Sequence, residues 1–118
     1  MSTIIIVQAR IDSKRFPGKV LKKINGKTVI NLIFERLKKS KNTEKIIFSI
    51  PDNRKEKVLY RHLNKIGANI YVGNENDVLD RYYKTAKKYS ARNILRVTGD
   101  CPLVDPYLVD KMINFFKK

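Results

Sequence analysis

Apolar residues occur along this chain in two alternating arrangements, short continuous runs and longer segments with helical spacing. The short runs predict buried strands, and they are Thr3–Val7, Ile46–Ile50, Asn69–Val72 and Asn93–Thr98. The longer segments predict four helices. Two are Thr28–Ser40 and Asp77–Tyr89. The second helix of the four is capped by Asp52 and ends near Ile66, and the last is capped by Asp105 and has Pro106 in its first turn. This regular alternation predicts a single α/β domain over residues 1–118, a three-layer α/β/α arrangement around a mainly parallel sheet.

The helical spacing also predicts which side chains face the core. They are Val29, Ile30, Ile33, Phe34, Leu37, Val58, Leu59, Leu63, Val78, Leu79, Tyr82, Tyr83, Ala86, Val109, Met112, Ile113 and Phe116. We expect the tyrosines, Tyr89 included, to pack in the core rather than stack on bases, and His62 to lie on the surface. Arg96 interrupts an otherwise apolar strand, and pairing with a carboxylate is one interpretation that the pattern leaves open.

Composition excludes several classes of protein. The longest apolar run, Ile4–Val7, is far too short to cross a membrane, and the first residues lack the pattern of a signal peptide. Cys101 is the only cysteine, which rules out an internal disulfide and a multi-cysteine metal site. We therefore expect a cytoplasmic protein without a membrane partner.

The charge is unusual: 26 Lys and Arg against 11 Asp and Glu give a formal net charge of +15. Such a field attracts polyanions such as nucleotides, nucleic acids and anionic membranes. Many lysines, however, stand at the ends of predicted helices, where a solvated face explains them. Because the basic residues are spread through every helix, we rank nucleic acid last among the partners.

The loop after the first strand, Gln8–Lys19, contains several residues that could bind a phosphate ligand. Backbone amides and Ser13 can donate to phosphate oxygens, and Arg10, Arg15 and Lys19 can neutralise a polyphosphate. Gly18 removes a Cβ where the chain turns sharply. The loop is neither a P-loop nor a dinucleotide fingerprint, and from composition alone a solvated basic turn explains it equally well.

Three motifs that follow one another along the chain are more informative than the loop alone. The loop matches the pattern A-R-x-x-S-x-R-x-P-G-K at Ala9, Arg10, Ser13, Arg15, Pro17, Gly18 and Lys19. NENDVLDRYY (Asn74–Tyr83) and RVTGDCPLVDP (Arg96–Pro106) follow it. Together they resemble the cytidylyltransferases that activate acidic sugars, the 3-deoxy-manno-octulosonate and acylneuraminate enzymes, and above all their SpsF-like relatives in spore coat polysaccharide biosynthesis.

The resemblance implies a GT-A-like fold of the nucleotide-diphospho-sugar transferase type, and a reaction in which a sugar hydroxyl attacks the α-phosphate of CTP and releases pyrophosphate. It implies that Arg10, Ser13, Arg15 and Lys19 contact the triphosphate, with Ala9 and Gly18 in the same nucleotide-binding loop. Arg10 and Lys19 become the candidate catalytic residues, because charge on the phosphoryl oxygens must be offset as the bond to pyrophosphate breaks.

The resemblance also implies a metal ligand and contacts to the base or ribose. Asp100 follows a strand and a glycine, and its motif places there an aspartate that binds Mg²⁺, a cation that takes one or two carboxylates plus substrate phosphates. Capping of a turn is the alternative for Asp100. Asp80 and Arg81 are weaker candidates for base or ribose contact, since the helix dipole alone explains an acidic residue there. We expect Cys101 to be a small packed residue.

Family members are substantially longer, so the resemblance covers their N-terminal, nucleotide-binding half. The remaining half ordinarily supplies the acidic-sugar pocket, a dimerisation arm and a second metal-binding aspartate. Two alternatives therefore stay open, a non-catalytic nucleotide-binding module and a GT-A-like glycosyltransferase. Half of a sheet exposes an edge and apolar surface, so association into a homo-oligomer is physically reasonable.

Overall fold

A computed structural model of the chain describes residues 3–11, 18–41, 43, 45–99 and 105–117, with the side chains of the last helix described up to residue 115. Six strands are present in these ranges: β1 (Thr3–Gln8), β2 (Lys23–Ile24), β3 (Lys27–Thr28), β4 (Lys45–Pro51), β5 (Asn69–Gly73) and β6 (Asn93–Thr98). The α-helices are α1 (Val29–Leu37), α2 (Lys57–Lys65), α3 (Val78–Lys88) and α4 (Pro106–Lys117). Two 3₁₀ helices span Lys19–Leu21 and Arg54–Glu56.

The main sheet has four parallel strands in the order β5-β4-β1-β6. Strand β1 is central, and Val7 lies opposite Phe48 on one side and Val97 on the other. All four of these strands were predicted from the sequence, with bounds that differ by one residue at most.

Helices cover both faces of the sheet, which confirms the predicted three-layer arrangement. On one face, apolar residues of the sheet pack with α1, α2 and α4 in a cluster that includes Ile5, Phe48, Ile33, Leu59 and Ile113. The opposite face is smaller. There Ile4, Ile6 and Ile47 pack against Tyr82 of α3, with Tyr89 beside them.

The hairpin β2–β3 and the 3₁₀ helix before it were not predicted. Asn25 and Gly26 both have positive φ (51° and 83°), as a two-residue type I′ turn requires. Thr28 then ends β3 and caps α1, because its side chain accepts a hydrogen bond from the amide of Asn31. Each strand has only two residues, too few for a periodic signal.

Four of the predicted core positions are wrong. Val58, Leu79, Tyr83 and Met112 are exposed, by 49%, 79%, 62% and 41% respectively. In α3 the cause is visible: Arg81, Tyr82 and Thr85 are the buried side chains, so the helix is rotated away from its most apolar stripe. In α4, Val109 and Ile113 are buried as predicted, whereas Met112 faces outward. The side chain of Phe116 lies outside the described residues.

Helix starts were predicted almost correctly. Asp77 caps α3 by accepting from the amide of Asp80, and Asp105 accepts from the amide of Tyr107 at 2.9 Å at the start of α4. The predicted cap of the second helix is off by one residue. Asn53, not Asp52, accepts from the amide of Glu56, because a 3₁₀ turn precedes α2. Within the described ranges, none of the helices combines the length and apolar character needed to cross a lipid bilayer.

Candidate functional site

The strand order creates a crevice at one place on the sheet. From β1 the chain continues outward on one side through β4 and β5, and then returns to add β6 on the other side. Ligands of such sheets bind at this reversal, beyond the carboxyl ends of the two strands that flank it. Here these ends are Gln8 of β1 and Thr98 of β6. The basic loop follows Gln8, and the loop that contains Asp100 follows Thr98.

Those two loops are joined at their base. The amide of Gly99 donates to the carbonyl of Gln8 at 2.7 Å, and Ala9 is buried beside it. A Cβ on Gly99 would lie 2.8 Å from the Gln8 carbonyl oxygen and 2.9 Å from the Cβ of Ala9, so any side chain would collide with them. On the other flank the amide of Ala9 donates to the carbonyl of Ser49 in β4 at 3.1 Å. Ala9 is therefore fixed from both sides.

The basic loop is closed where its described ends meet. The amide of Gly18 donates to the carbonyl of Ile11 at 2.9 Å. Gly18 has φ 74°, and a Cβ added there would meet no described atom within 4 Å, so its backbone conformation, not crowding, favours glycine. Lys19 begins the 3₁₀ helix directly afterwards, and Val20 anchors that helix in the core. The half-buried Arg10 stands at the other end of the loop. Ser13 and Arg15 lie outside the described residues.

Glu56 belongs to this region and was missed by the sequence analysis. Its side chain is 1% exposed, and its Oε1 accepts the backbone amide of Ile11 at 2.5 Å, across 45 positions of sequence. The pattern Asn53-x-x-Glu56 is a helix-start signature that would have marked Glu56. It would not have predicted that the carboxylate reaches the basic loop instead of its own helix.

Arg81 is buried beneath the same edge of the sheet. Its Nη1 donates to the carbonyls of Asn74 and Glu75 at 3.0 and 3.4 Å, while Nε and Nη2 have no partner among the described atoms. Gly73 leaves room for the aliphatic part of Arg81, since a Cβ there would lie 3.0 Å from its Cγ. Burial lowers the pKa of Arg81 and nearby Arg10 lowers it further, while Tyr82 and Glu56 act in the opposite sense.

Asp80, the other weak candidate, is engaged on its own helix. It forms an ion pair with Lys84 at 3.1 Å, one turn further along α3. The hydrogen bond to Asp80 raises the pKa of Lys84. Roles of Asp80 and Arg81 in contacting a base or ribose stay predictions.

Asp100 and Cys101 lie outside the described residues. The position of Asp100 follows directly on Gly99, which is fixed to β1. Among the residues that the structure describes, no group of three or more His, Cys, Asp or Glu side chains could hold a metal ion. A magnesium site here thus rests on the donor chemistry of Asp100 and stays a prediction.

Three side chains on neighbouring elements have definite partners. Arg96 pairs with no described carboxylate; its guanidinium lies over the ring of Tyr82 at 4.7 Å. The hydroxyl of Tyr82 donates to the Gln8 side chain at 3.1 Å, so this tyrosine packs under the end of β1. His62 was expected on the surface, but it is half-buried and its Nε2 lies 2.7 Å from Oγ1 of Thr28.

A depression adjoins Glu56 at the carboxyl ends of β4 and β5. Its volume is about 430 Å³, and Pro51, Asp52, Asn53, Tyr60 and Val72 contribute to its lining. That size lies in the range of small-molecule sites. A parallel sheet of this strand order, with a basic loop at the reversal, defines an α/β protein whose candidate site lies at the carboxyl ends of its strands.

Comparison with known proteins gives the family. The sequence model of the family described as cytidylyltransferase matches residues 4–118. The chain belongs to the cytidylyltransferase family, which confirms the resemblance drawn from the three motifs.

Two similar proteins agree with this family assignment. The chain is 34% identical to the spore coat polysaccharide biosynthesis protein SpsF of Bacillus subtilis, over 94% of this chain and 48% of that protein. It is 33% identical to 3-deoxy-manno-octulosonate cytidylyltransferase 2 of Hydrogenovibrio crunogenus, over 99% of this chain and 48% of that protein. The chain spans about half the length of the curated relatives it matches.

A solved structure confirms the fold. A cytidylyltransferase from Leptospira borgpetersenii superposes with a TM-score of 0.94 at 34% identity, over 99% of this chain and 49% of that one. The fold predicted from the resemblance, the nucleotide-sugar transferase type, is thereby confirmed.

Proposed function

We propose that this chain forms the CTP-binding half of a cytidylyltransferase that transfers CMP to an acidic sugar of the nonulosonate type and releases pyrophosphate. The observation that supports the proposal is the hydrogen bond from Gly99 to Gln8 at the reversal of the strand order, which joins the residues from which the basic loop and the loop of Asp100 depart. The name of one relative, 3-deoxy-manno-octulosonate cytidylyltransferase 2, supports the cytosine base and the broader class of acidic 2-keto sugars, to which nonulosonates also belong.

The roles follow from charge and position. Arg10 and Lys19 stand at the two ends of the closed loop, where cations can offset the charge that develops on the α- and β-phosphoryl oxygens. In the proposal Ser13, Arg15 and the backbone amides at Ala9 and Gly18 hold the triphosphate in one orientation. Asp100 would hold Mg²⁺, which when bound neutralises phosphate charge.

Binding is tested by calorimetric titration of CTP, UTP, ATP and GTP in the presence of Mg²⁺. We expect a preference for CTP that Lys19→Ala and Asp100→Ala each weaken by about tenfold or more, as loss of a charged phosphate or metal contact does. Matched controls are Lys22→Ala, which removes an exposed lysine three positions away, and Glu35→Ala, which removes an exposed carboxylate on α1. Equal binding of all four nucleotides by every variant would refute the proposed site.

Catalysis is a separate part of the proposal. Because the chain matches about half of its relatives, we expect the 118-residue chain alone to bind CTP·Mg²⁺ weakly and to release little pyrophosphate with nonulosonate acceptors. A pyrophosphate-release assay measures this directly. Turnover at the rate of a full-length relative, assayed in parallel, would show that these residues suffice for the reaction.

A further inference from the structure

Glu56 is a buried carboxylate at the root of the basic loop. Removing a carboxylate from water costs several kcal/mol unless hydrogen bonds compensate. One such bond comes from the amide of Ile11, which belongs to a different element from the helix on which Glu56 stands. A helix start alone does not require this contact, since Asn53 already caps the turn.

The contact holds one peptide group in the loop. Glu56 binds the N–H of Ile11, and Gly18 binds the C=O of the same residue. The peptide plane between Arg10 and Ile11 is therefore held by Glu56, while the following plane is held by Gly18. Since Ala9 is fixed between β4 and β6, the backbone on either side of Arg10 is restrained.

Charge compensation is the competing role for Glu56. Burial lowers the pKa of Arg81, Arg10 lowers it further and Glu56 acts in the opposite sense, so both Arg10 and Glu56 act on the buried guanidinium of Arg81. A carboxylate that served only to offset these two cations would depend on its charge and tolerate a shift in its position. A carboxylate that holds the Ile11 amide depends on the position of its oxygen, because hydrogen bonds weaken steeply with distance and angle.

We propose that Glu56 is a positioning residue for the nucleotide: by holding the Ile11 amide, it sets the direction in which Arg10 and the basic loop leave β1. Glu56 itself touches no ligand in this mechanism. The inference rests on the proposed function, in which that loop binds the triphosphate.

Two substitutions separate geometry from charge. Glu56→Gln removes the charge but keeps an acceptor oxygen at the same reach, whereas Glu56→Asp keeps the charge and withdraws the acceptor by one methylene. We expect Glu56→Gln to bind CTP within about threefold of the wild type, and Glu56→Asp to bind it about tenfold or more weakly, as misplacement of a binding group by about 1 Å does. Glu35→Asp, which shortens the exposed carboxylate paired with Lys27, is the matched control and keeps wild-type affinity.

A nucleotide-independent measurement keeps the two proposals distinguishable. Hydrogen exchange of the Ile11 amide, followed by NMR without nucleotide, should accelerate in Glu56→Asp and stay slow in Glu56→Gln. Wild-type CTP affinity in Glu56→Asp, or a loss in Glu56→Gln as large as in Glu56→Asp, would overturn the positioning role. A wild-type chain that binds no CTP refutes the proposed function instead, and the exchange rates then still decide whether Glu56 holds the loop.

Discussion

Single residues in this chain often serve two elements at once. Thr28 ends a strand and caps α1, and its hydroxyl also meets His62 of α2 at 2.7 Å. Gly99 ends β6 and leaves room for the backbone of Gln8 and Ala9. A change at such a residue affects two contacts together, so its cost exceeds that of a change on a solvated face.

His62 makes the stability depend on pH. Burial lowers its pKa below the ordinary 6.5, and Lys65 and Lys23 lower it further. Below about pH 6.5 the unfolded chain therefore binds a proton that the folded chain resists, and the free energy of unfolding falls as the pH falls. We expect chemical denaturation to show this decrease between about pH 7 and about pH 5.5, the range in which histidine titrates.

The matched variant is His62→Gln, which can still hydrogen-bond to Thr28 but does not titrate. Its free energy of unfolding should decrease less than that of the wild type over the same pH range. Identical pH profiles for the two proteins would show that His62 does not contribute.

At the level of elements, polar contacts attach α4 to the end of α1. Asp110 of α4 accepts from the hydroxyl of Ser40 at 2.6 Å and from the amide of Lys41 at 3.1 and 3.0 Å. Val109 and Ile113 are the buried apolar contacts of the described part of this helix. With so little apolar surface buried, the orientation of α4 depends strongly on the carboxylate.

We expect Asp110→Ala to lower the free energy of unfolding by about 1–3 kcal/mol, the cost of hydrogen bonds to a charged group. Urea denaturation at neutral pH measures this. Asp52→Ala, which removes an exposed aspartate, should change stability by less than about 0.5 kcal/mol. Equal effects of the two substitutions would contradict the attachment of α4 through Asp110.

The contrast between local and distant contacts explains what the sequence could predict. The sheet strands and helices carry periodic apolar signals, and Asp105 caps the helix that follows it, so these features were predicted. The exposure of Tyr83 was not, because α3 is oriented by the burial of Arg81, a residue that hydropathy assigns to the surface. The bond from Ile11 to Glu56 spans 45 positions and leaves no local pattern. Arg10 and Lys19 were selected through a motif, and their roles stay predictions.

For the whole molecule, the net charge of +15 acts in two opposite ways. Repulsion among like charges disfavours the compact chain, while the same field favours a triphosphate ligand. Salt screens both effects, because the Debye length falls from about 30 Å at 0.01 M to about 8 Å at 0.15 M. Added salt should therefore strengthen the fold and weaken nucleotide binding in the same buffer.

We expect the Tm of the nucleotide-free chain to rise over that range of sodium chloride, as measured by calorimetry. Replacing exposed Lys22 and Lys39 by glutamine reduces the charge, so the rise should be smaller in the double variant. A Tm that falls with salt would mean that attractive ion pairs, such as Lys27–Glu35 at 2.9 Å, outweigh the repulsion.

The central place of β1 in the sheet has a consequence for synthesis on the ribosome. Residues 3–8 are translated before the other strands of the sheet, yet their partner on one side, β6, ends only at Thr98. Until then a nascent chain presents Ile4–Val7 along an open strand edge, the kind of segment that aggregates or recruits chaperones. We expect ribosome-bound chains that end before residue 93 to be the intermediates that aggregate most readily and depend most on chaperones.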